Sequence, residues 1–348
     1  MNKKVNYSIY FAASPMHLMC IYELQQLNPE NNFQLIIFFG ANDYANNQLF
    51  KTSTKLGFTS FITVHQNKNS IVGYISFLML CAKLYKKFSS LNLNIIMIDF
   101  RNSFMHLLRC VFRNATFILI DDGFHTVVIY DKYLQNKIYL PVDNYKSIEG
   151  KITKWLFFGT DYKILKKQAI LVFSIYFDYF ASKKIIGTKN EFSSIRKLLG
   201  PNVPQLNKDV VFFIGTKNHE RGLMSLEDEL FYIEWLNNYW KLKGKKLFYV
   251  AKRSTSEKKI SLIKNLNIDV FQFNLPLELA LINNEFIPGT ICATGSTLLK
   301  TLPMLYDSID YYLVDVSAFY NFEADKNMFG IVKAFHSKQK IKLLPISR

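Results

Sequence analysis

The sequence predicts an α/β protein with two Rossmann-like domains facing a cleft. Apolar, β-rich runs alternate with helical segments between residues 6 and 120, and the same alternation returns between residues 209 and 314. The segment Gly200-Pro201-Asn202-Val203-Pro204 separates the two series. Such alternation is typical of parallel sheets covered by helices. We expect domains over residues 1–190 and 205–320, with residues 321–348 as a tail that could pack back on the first domain.

In the first series, the pattern predicts strands at 6–12, 33–39, 61–64, 94–98 and 116–120. Helices are predicted between them, over residues 15–27, 44–56, 71–88 and 103–112. Ser14 is suited to cap the first helix, and Pro15 fits its first turn. The less regular middle of the chain predicts a hairpin at 127–140, an aromatic helix near 165–182 and a short strand at 184–186.

The second series predicts strands at 209–215, 246–251, 270–271, 289–293 and 310–314. Helices are expected over residues 225–242, 256–266, 276–283 and 297–305. Ser225, with an acidic residue three positions later, is typical of a helix amino terminus. The chain of 348 residues is long enough for both domains.

The end of the strand at 116–120 carries the most informative polar residues. An apolar run stops abruptly at Asp121-Asp122-Gly123. Parallel strands deliver side chains to the carboxyl edge of the sheet, where open α/β folds bind ligands. Asp and Gly are also common in ordinary turns, so a plain strand exit is the alternative.

Three strand ends of the second series carry polar residues of a related kind. Gly215 leads into Asn218, His219 and Glu220, a possible acid/base set or a polar surface loop. Two cations, Lys252 and Arg253, suit a phosphate, although a solvated basic turn would look the same. Lys258 and Lys259, on the helix that follows, are expected to be exposed.

The third of these strand ends reads Thr294-Gly295-Ser296-Thr297 and opens a helix. Gly allows close approach, hydroxyl groups donate hydrogen bonds, and a helix amino end is positive. A simple N-cap by Ser296 is the alternative. Because polar turns follow several parallel strands together, we expect a phosphate-bearing donor in the second domain.

The composition indicates which binding partners and which cellular compartment to expect. The formal net charge is +16, from 43 Lys and Arg against 27 Asp and Glu. This favours anionic partners such as phosphorylated substrates or an anionic membrane face, although a generally basic composition is the alternative. The four cysteines and six histidines lack metal-site spacing.

No signal peptide is evident, and the apolar runs at 71–85 and 169–182 are too short to span a membrane. We expect a cytoplasmic protein, held peripherally on the inner membrane.

Several segments, in order along the chain, resemble bacterial sialyltransferases of glycosyltransferase family 52. They include lipooligosaccharide sialyltransferases, and related polysialyltransferases share the plan. The segments are Ile9-Tyr10-Phe11-Ala12-Ala13-Ser14-Pro15-Met16-His17-Leu18, Ile120-Asp121-Asp122-Gly123, Phe213-Ile214-Gly215 with Gly222-Leu223-Met224-Ser225, Lys245-Lys246-Leu247-Phe248-Tyr249-Val250-Ala251, and Ala293-Thr294-Gly295-Ser296-Thr297-Leu298-Leu299. The resemblance covers residues 7 to 315. It implies a GT-B fold, a CMP-activated sialic acid donor, a surface glycan acceptor, inversion at the anomeric carbon, no metal or other cofactor, and a homodimer.

The resemblance also completes the expected site. Catalytic roles are expected for Asp121 and Asp122, which match the family's Asp-Asp-Gly, and for His219 and Glu220, which would have to substitute for the family's acidic base. A carboxylate near the acceptor hydroxyl, Asp121 or Glu220, is expected to serve as the base. Donor-binding roles fall on Gly215, Asn218, Lys252, Arg253, Thr294, Gly295, Ser296 and Thr297, and acceptor-binding roles fall on Ser14, His17, Gly123 and His125. The chain departs from the family pattern at two positions, because Lys252 or Arg253 replaces a histidine and Asn218 replaces an acidic base.

Three alternatives stay open, the first two because of these departures. The first is a different nucleotide-sugar donor, and the second is a non-catalytic relative that binds glycans or nucleotides. The third, nucleic-acid binding, rests on charge alone and lacks a recognisable module.

Overall fold

The structure is a computed structural model that describes residues 6–65, 70–138, 169–180, 185–200, 204–253 and 255–346. The chain separates into two compact units, Met1–Ile195 and Arg196–Arg348. Each unit contains one parallel sheet with helices in its crossover connections. The two-domain α/β architecture expected from the alternation of strands and helices is therefore present.

The first unit contains a seven-stranded sheet. Its strands lie in the order β3-β2-β1-β4-β5-β6-β7, and all neighbours are parallel. The strands are β1 Asn6–Ala12, β2 Asn32–Phe39, β3 Ile62–His65, β4 Asn92–Met97, β5 Thr116–Ile120, β6 Leu171–Ser174 and β7 Gly187–Lys189. The helices are α1 Pro15–Leu27, α2 Asp43–Lys55, α3 Ser70–Phe88, α4 Ser103–Val111, α5 His125–Lys132 and α6 Phe177–Phe180. A further helix, α7 Ser193–Leu199, crosses the division between the two units.

The second unit repeats this plan with six parallel strands, in the order β10-β9-β8-β11-β12-β13. The strands are β8 Leu206–Ile214, β9 Lys246–Val250, β10 Asp269–Phe271, β11 Ile287–Ala293, β12 Asp310–Asp315 and β13 Lys342–Pro345. The helices are α8 Leu226–Leu242, α9 Glu257–Asn265, α10 Leu277–Ala280, α11 Leu298–Leu305 and α12 Glu323–His336.

Local sequence signals explain several helix starts. Ser14 Oγ accepts a hydrogen bond from the His17 amide at the start of α1, with Pro15 in the first turn. Ser225 Oγ accepts from the Asp228 amide at the start of α8.

The central strands have apolar cores, and β11 is buried along its whole length. Burial on both faces is expected for a central strand of a parallel sheet that helices cover.

The middle of the chain differs from its predicted elements. The predicted hairpin at 127–140 is wrong over the described residues, which form α5 and a 3-10 turn, Leu134–Asn136. The predicted aromatic helix at 165–182 lies partly outside the described residues. Where it is described, β6 comes first and the short helix α6 follows. A short apolar run fits a buried strand as well as a helix. The strand predicted at 184–186 is wrong in its bounds: residues 185 and 186 are not in a strand, and β7 follows them at Gly187–Lys189.

The end of the chain belongs to the second unit. Residues 323–345, expected as part of a tail that could return to the first domain, form α12 and β13. β13 pairs with β12, and Leu344 and Ile346 are buried in the apolar core of the second unit. This packing satisfies the free edge of β12. Among the described residues, no helix is both long and apolar enough to cross a membrane.

Candidate functional site

Both sheets place polar residues at the point where strand order reverses. In the first sheet the chain winds outward from β1 through β2 to β3 and then crosses to β4 on the other side of β1. The second sheet reverses in the same way between β8 and β11. Open parallel sheets bind ligands beyond the carboxyl ends of strands at such switch points. The sequence-predicted residues follow β1, β5, β8, β9 and β11, so they lie on these two edges.

Asp122 is at the centre of the first edge. Its Oδ1 lies 3.4 Å from His17 Nε2, and its Oδ2 lies 3.6 Å from Arg101 Nη2. His17 Nδ1 accepts a hydrogen bond from the Ala13 amide at 3.1 Å. The neutral imidazole therefore carries its proton on Nε2, facing Asp122. Asp99 holds Arg101 in turn, through a 3.1 Å contact between Oδ1 and Nε.

The surroundings of Asp122 keep its carboxyl ionised. Burial by itself would raise the pKa of Asp122, but the nearby imidazole of His17 and the charges of His125 and Arg101 hold it below its usual range. The side chain is still 34% exposed. Asp122 is thus a carboxylate that is both oriented by neighbours and open to a ligand, as a general base requires.

Asp121 occupies a different environment from the one expected for a base. It is fully buried. Its Oδ1 accepts from Ser174 Oγ at 2.5 Å, and its Oδ2 accepts from the Ile175 amide at 2.8 Å. Both oxygens thus fix the end of β6 to the end of β5. This geometry makes Asp121 a structural group that sets the position of Asp122.

The predicted acceptor-side residues surround Asp122 but differ in availability. Ser14 is occupied as the cap of α1, where its hydroxyl accepts from the His17 amide. Gly123 has a φ of +63°, so it supplies the tight turn after Asp122. His125 begins α5 and is exposed. His17 and His125 are therefore the predicted residues best placed to act beside Asp122.

On the second edge, the turn after β8 is held from beneath by a buried polar network. Lys259 Nζ donates to Glu229 Oε1 at 2.6 Å and to the Thr216 carbonyl at 2.9 Å. It also lies 3.2 Å from Glu220 Oε2. Glu229 accepts from the Thr216 hydroxyl at 2.7 Å and from the His219 amide at 3.0 Å. The network fixes the backbone of the turn.

This network changes the expected roles of three residues. Lys259, predicted to be exposed, is only 2% exposed. Glu220 pairs with Lys259 instead of standing free as a base. His219 is exposed, and its backbone amide is held by Glu229.

Of the two predicted residues in this turn, Gly215 is required by packing and Asn218 fits contact with a ligand. At Gly215 a Cβ atom would collide with the phenol of Tyr249, so only glycine fits. Asn218 is 8% exposed, and its Nδ2 has no hydrogen-bond partner within the described part of the chain. A buried amide donor without a protein partner is available to donate a hydrogen bond to a ligand.

The same edge concentrates positive charge. Burial and the charges of Arg221 and Arg253 lower the pKa of Lys217. Burial, together with Arg221, Lys217 and Lys259, lowers the pKa of Lys252 to about 8. Cations that disfavour one another's protonation are stabilised by an anion placed among them. The arrangement therefore suits a phosphate.

The turn after β11 completes this edge. Gly295 has a φ of +111°, a conformation that other residues adopt only with strain. Thr294 is buried, whereas Ser296 and Thr297 are half-buried at the amino end of α11. Ser296 Oγ accepts from the Leu298 amide at 3.3 Å. The turn presents hydroxyl groups and a helix amino end at the same edge as Lys252.

Two further observations delimit the site. Among the described residues, no group of three or more His, Cys, Asp or Glu is arranged to hold a metal ion. A cavity of about 490 Å³ lies at the opposite edge of the first sheet, lined by Tyr85, Leu93, Cys110 and Arg113 among others. It adjoins the amino ends of β4 and β5, so it is separate from the Asp122 cluster.

Sequence reasoning missed several residues of both edges. Arg101 follows β4, and the Asp-x-Arg pair after that strand, Asp99 and Arg101, is a signal in the sequence that could have identified it. Lys217 and Arg221 were hidden in a basic composition. Glu229 and Lys259 lie inside helices, and only the apolar residues flanking Lys259 at helical spacing indicated that it faces inward.

Comparisons with known proteins address the fold. No protein-family model and no curated protein matches the sequence. UDP-GlcNAc 2-epimerase from Neisseria meningitidis, bound to UDP-GlcNAc, matches with a TM-score of 0.51 and 10% identity, over 98% of this chain and 87% of that one. A putative UDP-N-acetylglucosamine 2-epimerase from Listeria monocytogenes matches with a TM-score of 0.50 and 10% identity, over 90% and 79%. A glycosyltransferase from Rickettsia africae has a TM-score of 0.47 and 18% identity, over 91% and 80%. The two epimerase structures establish the two-domain Rossmann-like fold.

Proposed function

We propose that this protein is a glycosyltransferase that uses a nucleotide-activated sugar. The single observation that carries the proposal is the crowding of Lys217, Arg221, Lys252 and Arg253 at the carboxyl edge of the second sheet, beside a buried and unsatisfied Asn218 amide. A phosphate group would neutralise the cations and satisfy the amide together.

The second unit would bind the donor through its phosphate. Lys252 and Arg253 would contact the phosphate oxygens, and Ser296 and Thr297 would donate hydrogen bonds from the start of α11. Gly295 would permit the backbone to approach closely. Because the pKa of Lys252 is about 8, its amine is mostly protonated at neutral pH. The charged amine can therefore stabilise the negative charge on the departing phosphate.

The first unit would supply the base. Asp122 would accept the proton of the acceptor hydroxyl as its oxygen attacks the anomeric carbon of the donor. The bond from that carbon to the phosphate oxygen breaks, and its electron pair leaves with the phosphate. His17 and Arg101 would orient the carboxylate, and His125 would contact the acceptor. Attack on the face opposite the leaving group inverts the anomeric carbon.

The finer identity of the substrates rests on the resemblance of the sequence. We propose CMP-activated sialic acid, or a related nonulosonic acid, as donor and a surface glycan, in lipooligosaccharide or capsule, as acceptor. No metal is proposed, because the cations of the second edge can neutralise the leaving phosphate.

A UDP-sugar donor is the second candidate. It is favoured by the fold likeness to the Neisseria structure, which holds UDP-GlcNAc. The cationic edge suits either nucleotide, since the phosphate chemistry is shared.

The experiment is an assay of nucleotide release. CMP-sialic acid and UDP-N-acetylglucosamine are each incubated with the protein, with and without a lipooligosaccharide acceptor, and the Asp122→Asn variant serves as the matched control. We expect CMP release and a glycan product that both depend on acceptor and on Asp122. Release of UDP instead would support the second candidate. No release from either donor, with nucleotide binding intact, would indicate a non-catalytic relative.

A further inference from the structure

Helix α3 has an unusual outer face. Phe77, Leu80, Cys81, Leu84 and Phe88 are buried, which anchors the helix to the first unit. The opposite side carries Val72, Ile75 and Met79, which are 44%, 52% and 58% exposed. These three residues follow helical spacing, so they form one apolar strip. The strip is additional to the buried stripe that a surface helix needs.

The same outer face becomes positively charged toward its end. Lys83, Lys86 and Lys87 are exposed, and the 19-residue helix contains no Asp or Glu. We define the outer face of α3 by these three lysines together with Val72, Ile75 and Met79. Apolar side chains next to lysines are the composition of helices that lie in a membrane interface.

The position of α3 in the sheet orients this face. The helix follows β3 and leads to β4, which is parallel to β3 in direction, so α3 runs back across the sheet. Its amino-terminal half, with Val72 and Ile75, is therefore nearest the carboxyl edge of the strands. That is the edge on which Asp122 lies.

We propose that the outer face of α3 docks on an anionic lipid bilayer. The apolar strip would enter the boundary between headgroups and acyl chains, and the lysines would contact anionic headgroups. The net charge of +16 favours the same partner. A second copy of this chain fits less well, because the helix that carries these three lysines has no Asp or Glu with which a second copy could pair them. The proposal does not depend on the function proposed for the carboxyl edges.

Vesicle co-sedimentation of the full chain tests the proposal. One set of vesicles contains phosphatidylcholine alone, and the other contains phosphatidylcholine mixed with phosphatidylglycerol. We expect binding to the mixed vesicles that weakens as salt is raised. Each lysine near an anionic surface contributes about fivefold in affinity.

Matched variants distinguish binding through the outer face of α3 from a general effect of net charge. The pair Ile75→Glu and Met79→Glu should reduce binding at least tenfold, whereas Leu242→Glu, at a 90% exposed position of α8, should not. Gln at Lys83, Lys86 and Lys87 should also weaken binding at least tenfold. The control replaces Lys241, Lys258 and Lys264 by Gln. These lysines are exposed in the second unit, and their replacement changes the net charge by the same amount. It should have little effect on vesicle binding.

Three results would overturn the proposal. The first is equal binding to both kinds of vesicle, and the second is equal loss in the α3 and control variants. The third is a dimer in light scattering that the Ile75→Glu and Met79→Glu pair converts to a monomer, which would assign the face to a second copy. Circular dichroism establishes that the variants are folded. Nucleotide binding is measured separately, so failure of lipid binding leaves the proposed function untouched.

Discussion

Replacing Lys252 and Arg253 by Ala should weaken nucleotide binding strongly. Each charge-assisted contact to a phosphate is worth roughly 1.5–3 kcal/mol. Loss of both should therefore cost about 3–6 kcal/mol, or at least a hundredfold in affinity. We expect the lower end of this range, because the charge of Arg253 also interacts with the buried carboxyl of Glu278.

The control for this experiment follows from the structure. Lys259 is unsuitable because it is buried and paired with Glu229. Lys258 and Lys264 are both exposed on α9, and replacing them by Ala removes the same charge. This control pair should change affinity less than about threefold, since exposed and screened charges contribute little. Isothermal titration calorimetry with CMP, at low and high salt, measures both pairs.

The same titration has a pH dependence that identifies Lys252. Its pKa of about 8 lies below the ordinary value because the site disfavours the charged amine. A bound phosphate favours the charged amine and raises this pKa. Affinity should therefore be full below pH 8 and fall as pH rises through 8, by up to tenfold per unit. Lys252→Arg should retain binding and abolish this dependence, because Arg stays protonated.

Two results would refute the reasoning. One is an equal, small loss of affinity in the Lys252/Arg253 pair and the Lys258/Lys264 pair, which would make the turn after β9 a basic surface loop. The other is a wild-type affinity that does not change between pH 7 and pH 9, where the phosphate of CMP is already about 90% or more doubly ionised, since the second pKa of a phosphate monoester is about 6.

Further predictions concern chemistry and stability. Asp122→Asn should lower kcat by roughly 10²–10⁴ and leave CMP affinity unchanged; an active variant would remove Asp122 as the base. Asp121→Asn should instead lower the denaturation midpoint, because an amide group replaces a carboxylate that accepts two buried hydrogen bonds. A midpoint equal to wild type would contradict this structural role. Lys259→Met should lower the free energy of unfolding by about 3–5 kcal/mol, because Glu229 remains buried and unpaired; a loss below about 1 kcal/mol in urea denaturation would show that the pair is not essential. Gly295→Val should destabilise the turn after β11 and weaken CMP binding, since its φ of +111° strains a β-branched residue, and unchanged CMP affinity would separate the turn from the site.

The regular parts of the fold were predictable because their signals agree. The run of residues 210–214 is apolar, leads into Gly215 and is followed by a polar turn and a capped helix, so composition, turn chemistry and capping lead to one interpretation. The middle of the chain lacks such agreement. The apolar run that contains Leu171–Ser174 satisfies a strand and a helix equally, and tertiary pairing with β5 decides for the strand.

Polar residues were predictable where they follow a strand and not where they lie within a helix. Asp122 and Lys252 were identified because parallel strands deliver whatever follows them to one edge. Lys259 was expected to be exposed because most lysines are. Its burial depends on Glu229, thirty positions earlier in the sequence, and no local pattern couples the two. The role of Arg101 similarly becomes recognisable only from its short distance to Asp122 in the structure.

A thermal-shift panel of CMP, CDP, UDP and GDP tests the central claim, that the second unit binds a nucleotide phosphate, most directly. A ligand present at a hundred times its dissociation constant stabilises the protein by about 2.7 kcal/mol, which corresponds to a rise of several degrees in Tm. We predict that CMP gives the largest rise and that the rise is lost when Lys252 and Arg253 are both replaced by Ala. The absence of any rise with all four nucleotides would contradict the account.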